Sequence, residues 1–275
     1  MEIQLWREIL SPYEQAVTEL VEKFQHLSLE HRERGLYSPI EQVTGRVKSI
    51  TSILEKMKRK KIPFEEMEEQ VEDIAGIRII CQFVEDIQRV SDLIAGRSDM
   101  EIKCIKDYIA HQKESGYRSY HLVIYYHVET LNGPKKIQAE IQIRTMAMNF
   151  WATIEHSLQY KYKTNIPPHV KERLANAAQA IIALDSEMSS VRNEIMNAQN
   201  SSLMQRNLVM DILQNIEKSV SEVQRREVEK IQDEFYRIYA SNDLQQLKRF
   251  HQQLDIIAEG YCAQAVTSEG WDQNL

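Results

Sequence analysis

The sequence predicts an α+β fold: a mixed sheet of about five strands flanked by helices, followed by a helical C-terminal region. Three observations on the 275-residue chain predict it. Glycine and proline are scarce, at 8 and 6 residues, which favours long helices over an all-β fold. The apolar spacing is helical at the N-terminal end, falls to strict alternation across the middle, and becomes helical again from Met146 onward. Hydrophobic residues make up 43% of the chain and charged residues 27%, which suits a folded globular protein rather than a disordered one. The length accommodates one large domain, or a medium domain with an appendage.

The elements follow in order. Residues 1–34 read as a helix, with an apolar rhythm through Val17, Leu20, Val21, Phe24 and Leu27. Ser38-Pro39 interrupts it. Residues 40–60 read as a second helix, apolar along Val47, Ile50, Leu54 and Met57 and polar along Lys48, Ser52, Glu55 and Arg59. Arg46 falls in its first turn, off the cationic stripe, and Pro63 ends the element. Residues 74–83 are dense in β-branched side chains and read as a strand; 86–95 read as a short helix. Residues 101–109, 119–130 and 135–145 read as further strands, with Asn132-Gly133 as the hairpin turn. Alternation puts Ile137, Ala139, Ile141 and Ile143 on one face of the last strand and Gln138, Glu140, Gln142 and Arg144 on the other. Residues 146–162 read as helix, and Pro167-Pro168 breaks it. Residues 169–199 form a long polar helix with Leu174, Ile181, Leu184, Met188, Val191 and Ile195 on an approximate heptad. Further helices occupy 200–275.

Composition narrows the function classes. No apolar run approaches the roughly 20 residues of a membrane span, and the charged N-terminus does not resemble a secretory signal. Cys81, Cys104 and Cys262 lie far apart, which argues against a disulfide framework or zinc ribbon and for a reducing cytoplasm. The net charge of −7 argues against a wholly basic nucleic-acid surface. The charge is nonetheless uneven: residues 46–61 carry seven basic side chains, and 65–73 carry Glu65, Glu66, Glu68, Glu69, Glu72 and Asp73.

The chain lacks a Walker A loop, a G-x-G-x-x-G turn, an H-E-x-x-H helix and a G-x-S-x-G elbow. A nucleotide site would therefore hold phosphates with side chains. The basic stretch could supply them, or could be a solvated lysine-rich face. Asp73, just before the first strand, and Glu140, on the polar face of the last, could converge on Mg²⁺, or could each be a surface acid. Tyr117, between Gly116 and Arg118, could stack a base or cover an edge.

Taken together, several ordered segments carry a resemblance. They are Ser38-Pro-Ile-Glu-Gln-Val-Thr-Gly-Arg-Val-Lys48, Val71-Glu-Asp-Ile-Ala-Gly-Ile-Arg78, Gly116-Tyr-Arg-Ser-Tyr-His121 and Ala139-Glu-Ile-Gln-Ile-Arg-Thr145. Met148-Asn-Phe-Trp-Ala152, Glu155-His156 and Tyr160-Lys161 follow them. The chain resembles the small alarmone synthetases of bacteria, RelQ-like relatives of the RelA/SpoT synthetase region, from about residue 5 to about 199. The resemblance implies a nucleotidyltransferase-like synthetase fold over 1–165, an oligomerisation helix over 166–199, and an extension beyond the family's usual end over 200–275. It implies a cytoplasmic, Mg²⁺-dependent GTP pyrophosphokinase that moves pyrophosphate from ATP to the 3′-hydroxyl of GDP or GTP. By resemblance, Asp73 and Glu140 are catalytic and hold the metal. Arg46 and Arg78 pack on adenine. Lys48, Ser52, Lys56 and Arg59 hold the ATP phosphates. Tyr117 stacks on guanine, Lys113 and His121 face the acceptor's 5′-phosphates, and Asn149, with Lys106, Gln142 and Glu155, shapes the acceptor pocket or supports the residues that touch substrate.

A homotetramer is what the resemblance implies for assembly. Gln42 stands where RelQ-like enzymes carry a phenylalanine, which puts their alarmone activation in doubt here. A different class of function stays open at this point: a catalytically silent module that senses nucleotides or holds single-stranded RNA.

Overall fold

The computed structural model describes residues 2–161, 167–220, 225–241 and 243–269. They form helix α1 (Glu2–Glu33), β1 (Gln42–Val47), α2 (Ile50–Lys60), α3 (Met67–Gln70), β2 (Ala75–Cys81), α4 (Val84–Ala95), β3 (Met100–Asp107), β4 (Tyr120–Thr130), β5 (Gly133–Thr145), α5 (Met146–Lys161), α6 (Pro168–Val220), α7 (Arg225–Ala240) and α8 (Leu244–Glu269). The sheet has five strands in the order β1-β2-β5-β4-β3. β2 and β5 are parallel and every other neighbouring pair is antiparallel. A mixed α+β sheet is therefore what the chain folds into.

The alternation on β5 sorts the two faces. Ile137, Ala139, Ile141 and Ile143 are at most 2% exposed and join Ile77 and Ile79 of β2 and Leu122 and Ile124 of β4 in the core. α1 closes this face with Tyr13, Ala16, Leu20 and Phe24, spaced by three and four residues as one stripe of a helix requires. α4 adds Ile87, Val90 and Ile94. The opposite face carries the polar set.

The region 40–60 is not one helix. Residues 42–47 are an edge strand paired antiparallel with β2, from Gln42↔Ile80 to Val47↔Ala75. Val43 and Val47, four apart, fit either a helix or a strand by spacing alone. Gly45 decides between them. A Cβ there would lie 2.6 Å from Val17 Cγ1 and 2.7 Å from Val21 Cγ2, so α1 can lie against the strand only because this position has no side chain. The helix starts later, at α2, where the Ser49 hydroxyl accepts from Ser52 N at 3.3 Å. Its buried residues are Ile53 and Met57, while Ile50 and Leu54 are exposed; the apolar stripe expected along Val47, Ile50 and Leu54 is displaced accordingly. Arg46 thus stands on a strand, not in a first helical turn.

By compactness the chain divides into two units, Met1–Val191 and Arg192–Leu275. α6 is continuous across residue 199. The second unit has its own small core of Ile212, Ile216, Phe235, Leu247, Phe250 and Leu254. Among the described residues no helix is long and apolar enough to cross a membrane.

Candidate active site

Strand pairing builds two rows of side chains across the polar face. One runs Thr44, Arg78, Gln142, His121, Lys106; the next runs Arg46, Gly76, Glu140, Val123, Cys104. Gly76 places no side chain between Arg46 and Glu140, and a cavity of about 130 Å³ opens there, lined in part by Arg46, Asp73, Arg78, Glu140 and Gln142. Asp73 precedes β2 by two residues, and the parallel register sets Gly76 beside Glu140, so both carboxylates reach one cavity. A second cavity of about 300 Å³ shares Arg46, Arg78 and Gln142 and adds Tyr117, Arg144, Thr153 and His156.

The two carboxylates are held differently. Lys48 Nζ donates to Asp73 Oδ2 at 2.8 Å and Lys56 Nζ donates to Oδ1 at 2.7 Å. Burial pushes the Asp73 carboxyl up, but the two ammonium groups outweigh it and hold it below the usual carboxylate range. Glu140 touches His121 Nδ1 with Oε1 at 3.2 Å and accepts from Gln142 Nε2 with Oε2 at 2.8 Å. Here too burial raises the carboxyl, the His121 and Gln142 contacts lower it further, and the charge of Asp73 raises it; the balance lies below the ordinary value. Both acids are thus ionised at neutral pH.

The guanidinium groups are crowded. Burial and then the neighbouring Arg144 and Arg46 charges lower the Arg78 guanidinium, whose Nε is buried without a hydrogen-bond partner. The crowding favours a ligand that is anionic or presents a π-face.

Tyr117 sits among aromatic and cationic groups. Its hydroxyl is 3.0 Å from His121 Nε2 and accepts from an Arg144 Nη at 2.5 Å. Tyr108 packs edge-on against both Tyr117 and His121, and Lys113 Nζ lies 4.9 Å from the Tyr117 ring centre. The loop is backed by α6: at Gly116, where φ is +86°, a Cβ would lie 2.5 Å from Ala178 Cβ. Arg118 approaches Asp185 of α6 at 4.0 Å, and Thr145 donates to the same carboxylate at 3.0 Å.

The fold therefore gathers Asp73, Glu140, Arg46, Arg78, Lys48, Lys56, Tyr117, Lys113 and His121 on one face. Ser52 sits on α2 next to its cap, and Arg59, one turn beyond Lys56, is exposed. Lys106 is paired with Glu72. Asn149 lies on α5 with its Oδ1 buried and unpartnered, and it lines neither cavity. Tyr160 and Lys161 have no described side chains. Sequence reasoning passed over Arg144, although the alternation on β5 already put it on the face of Glu140 and Gln142.

The chain is also similar to known proteins. Residues 45–165 match the family model described as the region found in RelA / SpoT proteins. The chain is 53% identical over 199 residues to the GTP pyrophosphokinase YjbM of Bacillus subtilis, covering 72% of this chain and 94% of that protein. The crystal structure of small alarmone synthetase 1 from Bacillus subtilis bound to its product pppGpp is similar at TM-score 0.68 and 54% identity, covering 70% of this chain and 98% of that one. The same protein bound to AMPCPP is similar at TM-score 0.62 and 48% identity, over 70% of this chain and 99% of that one.

Proposed function

This chain belongs to the RelA/SpoT family, and from that premise we propose that it is a small GTP pyrophosphokinase, moving the β,γ-pyrophosphoryl group of ATP to the 3′-hydroxyl of GDP or GTP. The 3′ oxygen bonds to the β-phosphorus, the bond from that phosphorus to the α,β-bridging oxygen breaks, and AMP leaves with that oxygen. The products are AMP and ppGpp or pppGpp. The observation that carries this reading is the convergence of Asp73 and Glu140 on one cavity, with lysines of the α2 region on one side and the Tyr117 cluster on the other.

Mg²⁺ fits the donor set, since two ionised carboxylates are hard oxygen ligands suited to sharing a small dication with phosphates. Asp73 and Glu140 would hold it; bound, it would neutralise the charge of the transferring phosphates. The chain's own groups do the rest. Arg46 and Arg78 clasp adenine, and Lys48 and Lys56 exchange Asp73 for phosphate oxygens, joined there by Ser52 and Arg59. Tyr117 stacks on guanine, Lys113 meets the acceptor's 5′-phosphates beside His121, whose two ring nitrogens face Tyr117 and Glu140, and Asn149 supports the acceptor pocket. Glu140 accepts the 3′-hydroxyl proton as the new bond forms. Positioning and charge stabilisation supply most of the rate in such transfers, so no covalent enzyme intermediate is needed.

Self-association belongs to the same reading. Leu184, Met188 and Val191 lie on one stripe of α6 at 47%, 44% and 41% exposure, an apolar face a second copy could cover; by family likeness the assembly is a tetramer. A cytoplasmic setting suits the free thiols of Cys81 and Cys104.

Incubation of folded protein with ATP, GDP or GTP and Mg²⁺ tests the reading, with products resolved by anion exchange. AMP and the 3′-pyrophosphorylated nucleotide are expected in equal amounts. Glu140→Gln should bind both nucleotides and lose turnover; near wild-type turnover would remove Glu140 from its role. Tight RNA binding with a steep salt dependence and no alarmone would replace the reading altogether.

A further inference from the structure

We propose that Arg144 is a positioning residue whose guanidinium sets the direction of a closed hydrogen-bond ring that delivers two donors to the two oxygens of Glu140. The proposal deepens the reading above and rests on it for the role of Glu140.

Arg144 is 4% exposed. Its Nε donates to Ser119 Oγ at 3.1 Å, and one Nη donates both to the Tyr117 hydroxyl at 2.5 Å and to Gln142 Oε1 at 2.9 Å. The ring then closes through Tyr117 to His121 at 3.0 Å, His121 to Glu140 at 3.2 Å, and Gln142 to Glu140 at 2.8 Å.

With His121 neutral and Glu140 a carboxylate, donor and acceptor capacity fixes every direction. A guanidinium can only donate. Gln142 must therefore turn its carbonyl to Arg144, which leaves its amide NH₂ to face Glu140 Oε2. The Tyr117 hydroxyl accepts from Arg144 and keeps its one proton; Glu140 as a carboxylate only accepts, so a neutral His121 carries its proton on Nδ1 and leaves Nε2 to take the Tyr117 proton. The imidazole donates its Nδ1 proton to Glu140 Oε1. Both arms start at the same cation and end as donors on the same carboxylate. The two oxygens of Glu140 are thereby held at fixed positions by a group that does not touch it.

A lysine at 144 would keep the charge but not the planar fork that serves three acceptors at once. A methionine would leave the Gln142 amide free to flip and the imidazole free to move its proton to Nε2. Either change would loosen the base. Tyr117→Phe cuts only one arm: the ring stays for stacking, and the hydroxyl relay to His121 is lost.

The experiment is ¹⁵N NMR of the imidazole nitrogens in the full-length protein at a pH where His121 is neutral. The His121 resonances are assigned by their loss in His121→Asn. The wild type should show the Nδ1–H tautomer, and Tyr117→Phe should shift His121 toward Nε2–H. Arg144→Met should do the same and lower kcat roughly 10- to 100-fold, as is typical when a residue supporting a reacting group is lost. If Arg144→Met does not fold, the wild-type and Tyr117→Phe spectra still decide. An Nε2–H tautomer in the wild type overturns the proposal, as does an unchanged tautomer in Tyr117→Phe. A wild type that makes no alarmone yet shows the Nδ1–H tautomer would sink the pyrophosphokinase reading instead, and with it the catalytic meaning of the ring.

Discussion

Lys56→Ala should strengthen the binding of a free divalent cation while weakening that of ATP. Without ligands, both oxygens of Asp73 are taken by ammonium groups, Lys56 at 2.7 Å and Lys48 at 2.8 Å. The three side chains are 15–21% exposed, so water screens these contacts only in part. A hydrogen bond to a charged group contributes about 1.5–3 kcal/mol net. A cation arriving alone must displace both, at a cost of about 3–6 kcal/mol. A cation arriving with ATP meets no such cost, because the lysines find phosphate oxygens. Removing Lys56 halves the penalty, which corresponds to roughly 10- to 150-fold tighter binding of the free ion. The same change removes a charge-assisted phosphate contact and should weaken ATP about tenfold or more. Mn²⁺ replaces Mg²⁺ for the assay, being a similar oxygen-seeking ion; its free aquo signal is followed by electron paramagnetic resonance without nucleotide. ATP binding is measured separately by calorimetry with a non-hydrolysable analogue. Tight Mn²⁺ binding by the nucleotide-free wild type, or no gain in Lys56→Ala, would refute the reasoning.

Other outcomes follow from the same geometry. Tyr117→Ala should weaken the guanine nucleotide by roughly 1–3 kcal/mol, the usual worth of a base stacked on an aromatic ring, and leave ATP affinity unchanged; equal losses for both nucleotides would contradict the assignment. Gly116→Ala should destabilise the fold by about 1–3 kcal/mol, since a Cβ at φ +86° would lie 2.5 Å from Ala178 Cβ; an unchanged urea midpoint would show that α6 yields without cost. Stability should also fall as pH drops below about 4. Asp73, Asp99 and Glu140 are all held below their ordinary values, so the stability they contribute is present above the unfolded pKa and is lost as pH falls through the folded one. Asp185, raised by burial, acts in the opposite sense and only partly offsets this. A urea midpoint that is flat or rising from pH 5 to pH 3 would contradict that sign.

Much of the sheet was legible because alternation is a local property. Ile137, Ala139, Ile141 and Ile143 announce a buried face whatever they pack against, and Glu140, Gln142 and Arg144 then have to share the other. β1 was not legible in the same way. Six residues at a sheet edge carry too short a pattern to separate a period of two from one of 3.6, and the strand owes its identity to Ile80–Ala75 beside it and α1 above it. The stripe on α2 was misplaced for the same reason, since Ile53 rather than Ile50 meets the core.

The order of residues along the chain fixed which side chains alternate, where glycine permits a close approach, and which charged groups were at hand. It could not place Asp73 beside Glu140, close the ring from Arg144 back to Tyr117, or set two lysines on the Asp73 carboxylate. Those contacts join positions 17 to 67 residues apart in sequence. They exist because the parallel β2–β5 pairing and the antiparallel β1–β2 and β4–β5 pairings bring distant backbones into one register. Such a register is chosen by burial over the whole sheet, not by any residue's neighbours in sequence.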